Sequence, residues 1–287
     1  MTHGGELRAR ARAFSSRDAW KPARLFFEEE VSRRPSDAEA RAYLGFFCVK
    51  ESLFDTDRAL AEFEKALDLD ARCVAAHLHR AFTRGSLQRL EAAREDVSAA
   101  ERLGATKAEL AWARACVELD AGSVDEAIVQ FARLVELDGD STSMILLSQA
   151  HSQAGDNEAA LEWAKRASER DPQDFRAPTY MGVYLAYLER YPEARAALAK
   201  AAAFGCEYAL LDHTLAYVAG REGNASEEER HLRRALEADP EYVTSRKRLA
   251  DLCAASGRVP EAKEHYRRAL ARFPSYREAK EALDSLG

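Results

Sequence analysis

His77 and His79, two residues apart in the stretch AHLHRA, are the first pair in the chain that suggests a metal site. In a helix that spacing turns the two rings about 200° away from each other, so one ion cannot reach both, and no metal site is expected there. Cys48, in RAYLGFFCVK, sits in an apolar run with no base beside it. A nucleophilic thiol needs a base and an electropositive, partly exposed setting, so Cys48 and His151 are expected in helix packing rather than in chemistry. No glycine-rich phosphate loop, G-x-G-x-x-G or H-E-x-x-H occurs. The acidic run Glu28 to Glu30 is expected to be a solvated helix face. No catalytic residue and no cofactor is expected.

The chain has 287 residues, 47% hydrophobic and 32% charged, the balance of an ordered protein with a large core. Its net charge of −7 lacks the cationic footprint of a nucleic-acid or anionic-membrane binder. Charge is unevenly spread: residues 1 to 37 and 243 to 287 are mildly basic, at +2 and +4, and the middle carries 24 basic against 37 acidic residues. The five cysteines (Cys48, Cys73, Cys116, Cys206 and Cys253) are odd in number and scattered, as in a reducing compartment. No secretory signal or membrane span is read at the N-terminus or elsewhere. A cytoplasmic protein is expected, and its alanine- and arginine-rich usage is of a bacterial kind.

What positions the side chains is a repeat. EFEKALDLDA, EWAKRASERDP, RHLRRALEADP and EHYRRALARFP align at a common interval. Within it a small or apolar residue recurs at Ala66, Ala100, Leu134, Ala167, Ala201, Ala235 and Ala269, spaced by 34 or 33 residues. A second small residue marks the preceding helix at Ala11, Gly45, Ala81, Ala115, Ser148, Gly182, Ala216 and Ala250. Small residues at a fixed register let helices approach closely. Gly122, Gly155, Gly223 and Gly257 stand where the first helix of a pair should stop, and Pro22, Pro192 and Pro260 where the second should open.

This pattern resembles the tetratricopeptide repeat, two antiparallel helices in 34 residues, over nearly the whole chain. The resemblance implies an all-α, right-handed α-solenoid forming a single domain over 1–287. Its eight units are read at 4–37, 38–73, 74–107, 108–140, 141–174, 175–208, 209–242 and 243–276, with a capping helix at 276–286. Unit two carries two extra residues between its helices, in ESLFDTDRAL, and unit one has Glu30 where the others have alanine or leucine.

In the resembling family the first helix of each unit lines an inner groove where partners bind. Carried over position by position, the groove presents Tyr43, Phe46, His79, Phe82, Trp112, Gln149, Tyr180, Tyr187, His213 and Tyr217, together with Leu78, Cys116, Ile145, Thr179, Val183 and Thr214. Arg8, Arg12, Lys247 and Arg248 stand at its two ends. Aromatic side chains offer about 150 to 250 Å² each, so several along one face make a patch of roughly 500 Å² or more. The family's peptide-gripping grooves use asparagines, and this chain has only Asn157 and Asn224, both expected in turns. The expected function is therefore a non-enzymatic adaptor that binds a helix or folded apolar surface of a partner protein, without nucleic acid or membrane insertion. The alternative is a regulatory or structural subunit of an enzyme or defence complex contacted through an acidic convex face. Self-association through the ends is a third reading.

Overall fold

A computed structural model describes residues 3–51, 55–205 and 208–287. Residues 52–54, in the loop assigned the two extra residues, and Cys206 lie outside the described residues. Within them the chain is an all-α solenoid of helix-turn-helix repeats, seventeen helices and no strand. None of the described helices is long and apolar enough to cross a membrane.

The chain divides into two compact units, one ending at Asp174 and the other spanning Phe175–Gly287. The N-terminal unit contains α1 (His3–Ser15), α2 (Trp20–Arg33), α3 (Ala38–Glu51), α4 (Thr56–Leu69), α5 (Val74–Ser86), α6 (Leu90–Arg102), α7 (Lys107–Asp120), α8 (Val124–Asp138), α9 (Ser141–Gln153) and α10 (Asn157–Arg170). The C-terminal unit contains α11 (Arg176–Tyr187), α12 (Tyr191–Ala202), α13 (Ala209–Arg221), α14 (Ala225–Ala238), α15 (Val243–Ala255), α16 (Val259–Arg272) and α17 (Arg277–Ser285). Each odd-numbered helix up to α15 packs on the even-numbered one that follows it, and α17 packs on α16.

The two small-residue registers explain the pairing. The described alanines at both registers are buried, and at Gly45 an added Cβ would lie 2.7 Å from the Phe63 ring. At Gly182 it would lie 2.5 Å from Leu198, so α11 and α12 approach more closely than any side chain allows. Fully buried Phe27, Phe47, Phe63 and Phe131 fill the space between helices.

Helix ends follow local chemistry. Thr106 and Glu109 form a reciprocal capping box on α7, and Asp156 and Asn224 accept from backbone amides at the starts of α10 and α14. Both asparagines thus serve turns, Asn157 Oδ1 accepting from Ser152 Oγ at 2.8 Å. Gly122, Gly155, Gly223 and Gly257 hold φ between +74° and +85° after α7, α9, α13 and α15. At the matching turns after α1, α5 and α11 stand Asp18, Gln88 and Glu189, with φ of +48°, +58° and +59°. Two of these side chains reach the next repeat, Gln88 donating to the Asp120 carbonyl at 2.8 Å and Glu189 accepting from Arg221 at 2.6 Å.

Buried charges are paired between helices. Asp96, on α6, is 2% exposed and accepts from His77, Arg80 and Arg84 of α5 at 2.6 to 3.1 Å. Burial alone would raise its pKa, but these hydrogen bonds and arginine charges hold it below the ordinary aspartate value. His77 is thereby engaged with a carboxylate across the helix pair. In the C-terminal unit Asp212 and His231 make the corresponding α13–α14 link at 2.7 Å.

Candidate functional site

In the N-terminal unit the first helices of successive pairs touch, α3 on α5 and α5 on α7, and bring rings from all three together. Phe46 stacks on His79 at 4.3 Å and meets Phe82 and Trp112 at 6.0 Å each. Phe82 in turn stacks on Trp112 at 5.8 Å. Tyr43 lies between Phe27 and His79, at 5.2 and 5.4 Å. Tyr43 and Phe46 are each only 9% exposed, so these two rings present little surface; Phe82 and Trp112 are half-buried. The Lys50 ammonium lies over Trp20 at 4.8 Å and over Phe82 at 5.8 Å.

His79 Nδ1 is buried without a hydrogen-bond partner among the described residues, and burial pushes the imidazole down to about 3. It therefore behaves at neutral pH as an uncharged aromatic plate. Burial also lifts the Cys48 and Cys116 thiols to about 12, which removes thiolate character from both. Asp120, at the end of α7, is raised to about 6 by burial.

The C-terminal unit arranges its aromatics differently. Tyr187 of α11 and Tyr217 of α13 meet edge to face at 6.0 Å, and they are 54% and 37% exposed. Tyr180 stacks on buried Tyr184 at 6.1 Å. Beside Tyr217 lies a pocket of about 380 Å³ lined by His213, Tyr217, Gly220, Arg221, Glu228, Leu232 and Arg248. His213 Nδ1 is 2.8 Å from Ser245 Oγ, and burial lowers its pKa to about 4. Glu228, 3% exposed, is bound by Arg248, so one wall of the pocket is a charge pair. An added Cβ at Gly220 would lie 2.7 Å from that carboxylate, which shows how closely α13 meets α14 there.

The remaining sequence-derived positions are dispersed. Gln149 is half-buried on α9, whereas Leu78, Cys116, Ile145, Thr179, Val183 and Thr214 are buried. Arg8 is paired with Glu39 at 2.7 Å and Lys247 with Asp251 at 2.9 Å, while Arg12 is exposed. Sequence reasoning passed over one set of donor groups, Cys253 of α15 with Glu261 and His265 of α16, the only metal-compatible cluster among the described residues. Its legible trace is the four-residue spacing of Glu261 and His265, which places both on one helix face.

Tetratricopeptide repeat family profiles match residues 112–175 and 221–286. No relative was found among curated protein sequences. Among solved structures, yeast Tom70 is similar at a TM-score of 0.67 and 15% identity, over 99% of this chain and 64% of that one. TTC0263, a thermophilic tetratricopeptide protein of Thermus thermophilus, is similar at 0.53 and 24% identity, over 59% of this chain and 94% of its own. The Cut9–Hcn1 hetero-tetramer of the APC/C is similar at 0.53 and 14% identity, and this chain spans 48% of the matched chain. At these identities the likeness is one of fold. With the two family matches and the helix pairs repeating at the sequence period, it makes this chain a tetratricopeptide repeat protein.

Proposed function

We propose that the protein is a non-enzymatic adaptor that binds a partner protein on the first-helix face of its C-terminal unit. The observation that carries this reading is the exposed Tyr187–Tyr217 pair beside the 380 Å³ pocket. Tyrosine gives a large contact area at little rotamer cost, and a pair next to a concave pocket has the anatomy of an interface hot spot. A tetratricopeptide repeat array is in general a scaffold for protein–protein interaction, which agrees with a site made of apolar contact rather than reactive groups. The fitting partner is a helix or folded surface that offers an apolar anchor to the pocket. An acidic convex docking face has less support, because many carboxylates of the second helices are engaged in cross-repeat ion pairs, such as Glu28 with Arg58 and Glu261 with Arg233.

The test compares affinity capture of native partners by wild type and by the Tyr187→Ala/Tyr217→Ala double variant, at low and high salt. The expected outcome is loss of the captured partner with unchanged helical content and melting temperature, and little salt dependence for wild type. Undiminished capture by the double variant, or capture that collapses with salt alone, overturns the assignment.

A further inference from the structure

At the far end of the sequence, α15 and α16 bring three chemically different donors together. Cys253 Sγ, a Glu261 carboxylate oxygen and a His265 ring nitrogen all lie within 4.8 Å of one another. Cys253 is fully buried, whereas Glu261 and His265 are half-buried, with 32% and 14% of their side chains exposed. The cluster therefore opens to solvent on its carboxylate side.

We propose that Cys253, Glu261 and His265 form a binding site for a single zinc ion, with water completing the coordination. Thiolate, imidazole and carboxylate are the three protein donors that zinc accepts, and three of them with one open position is a common arrangement for it. Tetrahedral zinc, with bonds of about 2.0 to 2.3 Å, holds its donor atoms about 3.5 Å apart. The present separations, none above 4.8 Å, exceed that spacing by no more than about 1.3 Å.

The imidazole is available. Among the described residues His265 Nδ1 is buried without a partner, and Nε2 is 3.8 Å from Glu261 Oε1, beyond hydrogen-bond distance. Cys253 ligates as the thiolate, so metal binding must release its thiol proton.

The surroundings hold the carboxylate in place. Glu261 accepts from Arg233 at 2.6 Å and from Arg258 at 3.2 Å. A carboxylate has about four lone-pair positions, so Glu261 can keep both arginines as outer partners and still offer an oxygen to the ion. Glu229, paired with the same two arginines at 2.7 and 2.6 Å, offsets their charge. The inner set, a thiolate and a carboxylate, balances the dication.

The experiment titrates the full chain with Co²⁺, whose spectrum reports ligand type and geometry, and then displaces it with Zn²⁺. Wild type is expected to take up one equivalent with tetrahedral visible bands and a thiolate charge-transfer band. Cys253→Ser should lose the thiolate band. His265→Gln should weaken binding by more than the roughly 10–100-fold that loss of an outer-shell partner costs, while Cys116→Ser binds as wild type does. Because Cys253 is a core residue, the half-buried His265 variant provides the second arm, and circular dichroism verifies that each variant is folded. No cobalt bands, an octahedral spectrum without the thiolate band, or a wild-type spectrum in both site variants overturns the proposal.

Discussion

Phe46 in the N-terminal unit and Tyr217 in the C-terminal unit occupy the same register, one place after the small residue of their first helix, yet one is 9% and the other 37% exposed. The helix that follows explains the difference. Phe46 meets His79 and Phe82 of α5, and Trp112 of α7 closes over them. At the corresponding places next to Tyr217, α15 presents Arg248 and Asp251, which keep to their ion-pair partners Glu228 and Lys247. A ring closes over a ring, but charged neighbours leave it open to solvent. The same repeat thus makes sealed core in one unit and exposed aromatic surface in the other.

The largest effect expected from this contrast is on stability. Phe46→Ala should cost about 3 to 5 kcal/mol in urea unfolding, because it empties a ring cluster that spans three helices. Tyr217→Ala should cost less than about 1 kcal/mol, as for a surface truncation. Equal costs would remove the distinction between sealed and open faces.

A smaller effect is the response to acid. His79 and His213 have folded-state pKa values near 3 and 4, below the unfolded value of about 6.5, so the unfolded chain binds more protons as pH falls. The stability each contributes is complete above about pH 6.5 and declines by up to about 1.4 kcal/mol per pH unit as pH falls towards the folded value. Asp120 acts with the opposite sign: its carboxyl, raised to about 6, favours folding below about pH 4 and loses that contribution as pH rises through 6. Melting followed from pH 7 to pH 4.5 should show a loss that His79→Phe reduces, since phenylalanine keeps the stack without the proton site. An unaltered acid response in that variant would show that the sealed cluster does not sense pH.

The smallest effect concerns the turns. Glu189→Gly should stabilise by about 0.5 kcal/mol, because glycine relieves the left-handed backbone while only an exposed ion pair is lost. Gln88→Gly should show no gain in melting temperature, since it gives up the hydrogen bond to the Asp120 carbonyl. Opposite ranking of the two would mean that the bridge, not the backbone, dominates at position 189.

The repeat and its helices were legible because period, small residues, turn glycines and prolines all act locally. Burial of individual groove positions was not, since Phe46 is enclosed by side chains 33, 36 and 66 residues away whose approach depends on how helices of successive pairs are spaced. The strained turns were hidden for a related reason: Gln88 and Glu189 hold a conformation that the glycines of sister repeats announce and they do not. Exposure of Tyr217 was partly readable, because the charged residues of the stretch SRKRLAD already exclude a covering ring. The Cys253 cluster needed the structure, as only the α15–α16 approach adds sulfur to the Glu261–His265 pair.

The cross-repeat links have one more consequence. Gln88 with the Asp120 carbonyl, Glu189 with Arg221, Arg195 with Glu227, and His213 with Ser245 each join residues 32 positions apart. Each therefore ties one repeat to the next, reaching a place just short of its own equivalent there. A bond that always reaches one module along is indifferent to how many modules there are. Such a chain can be lengthened or shortened by whole repeats with its surviving junctions intact, whereas a one-residue slip would misalign every link it crosses.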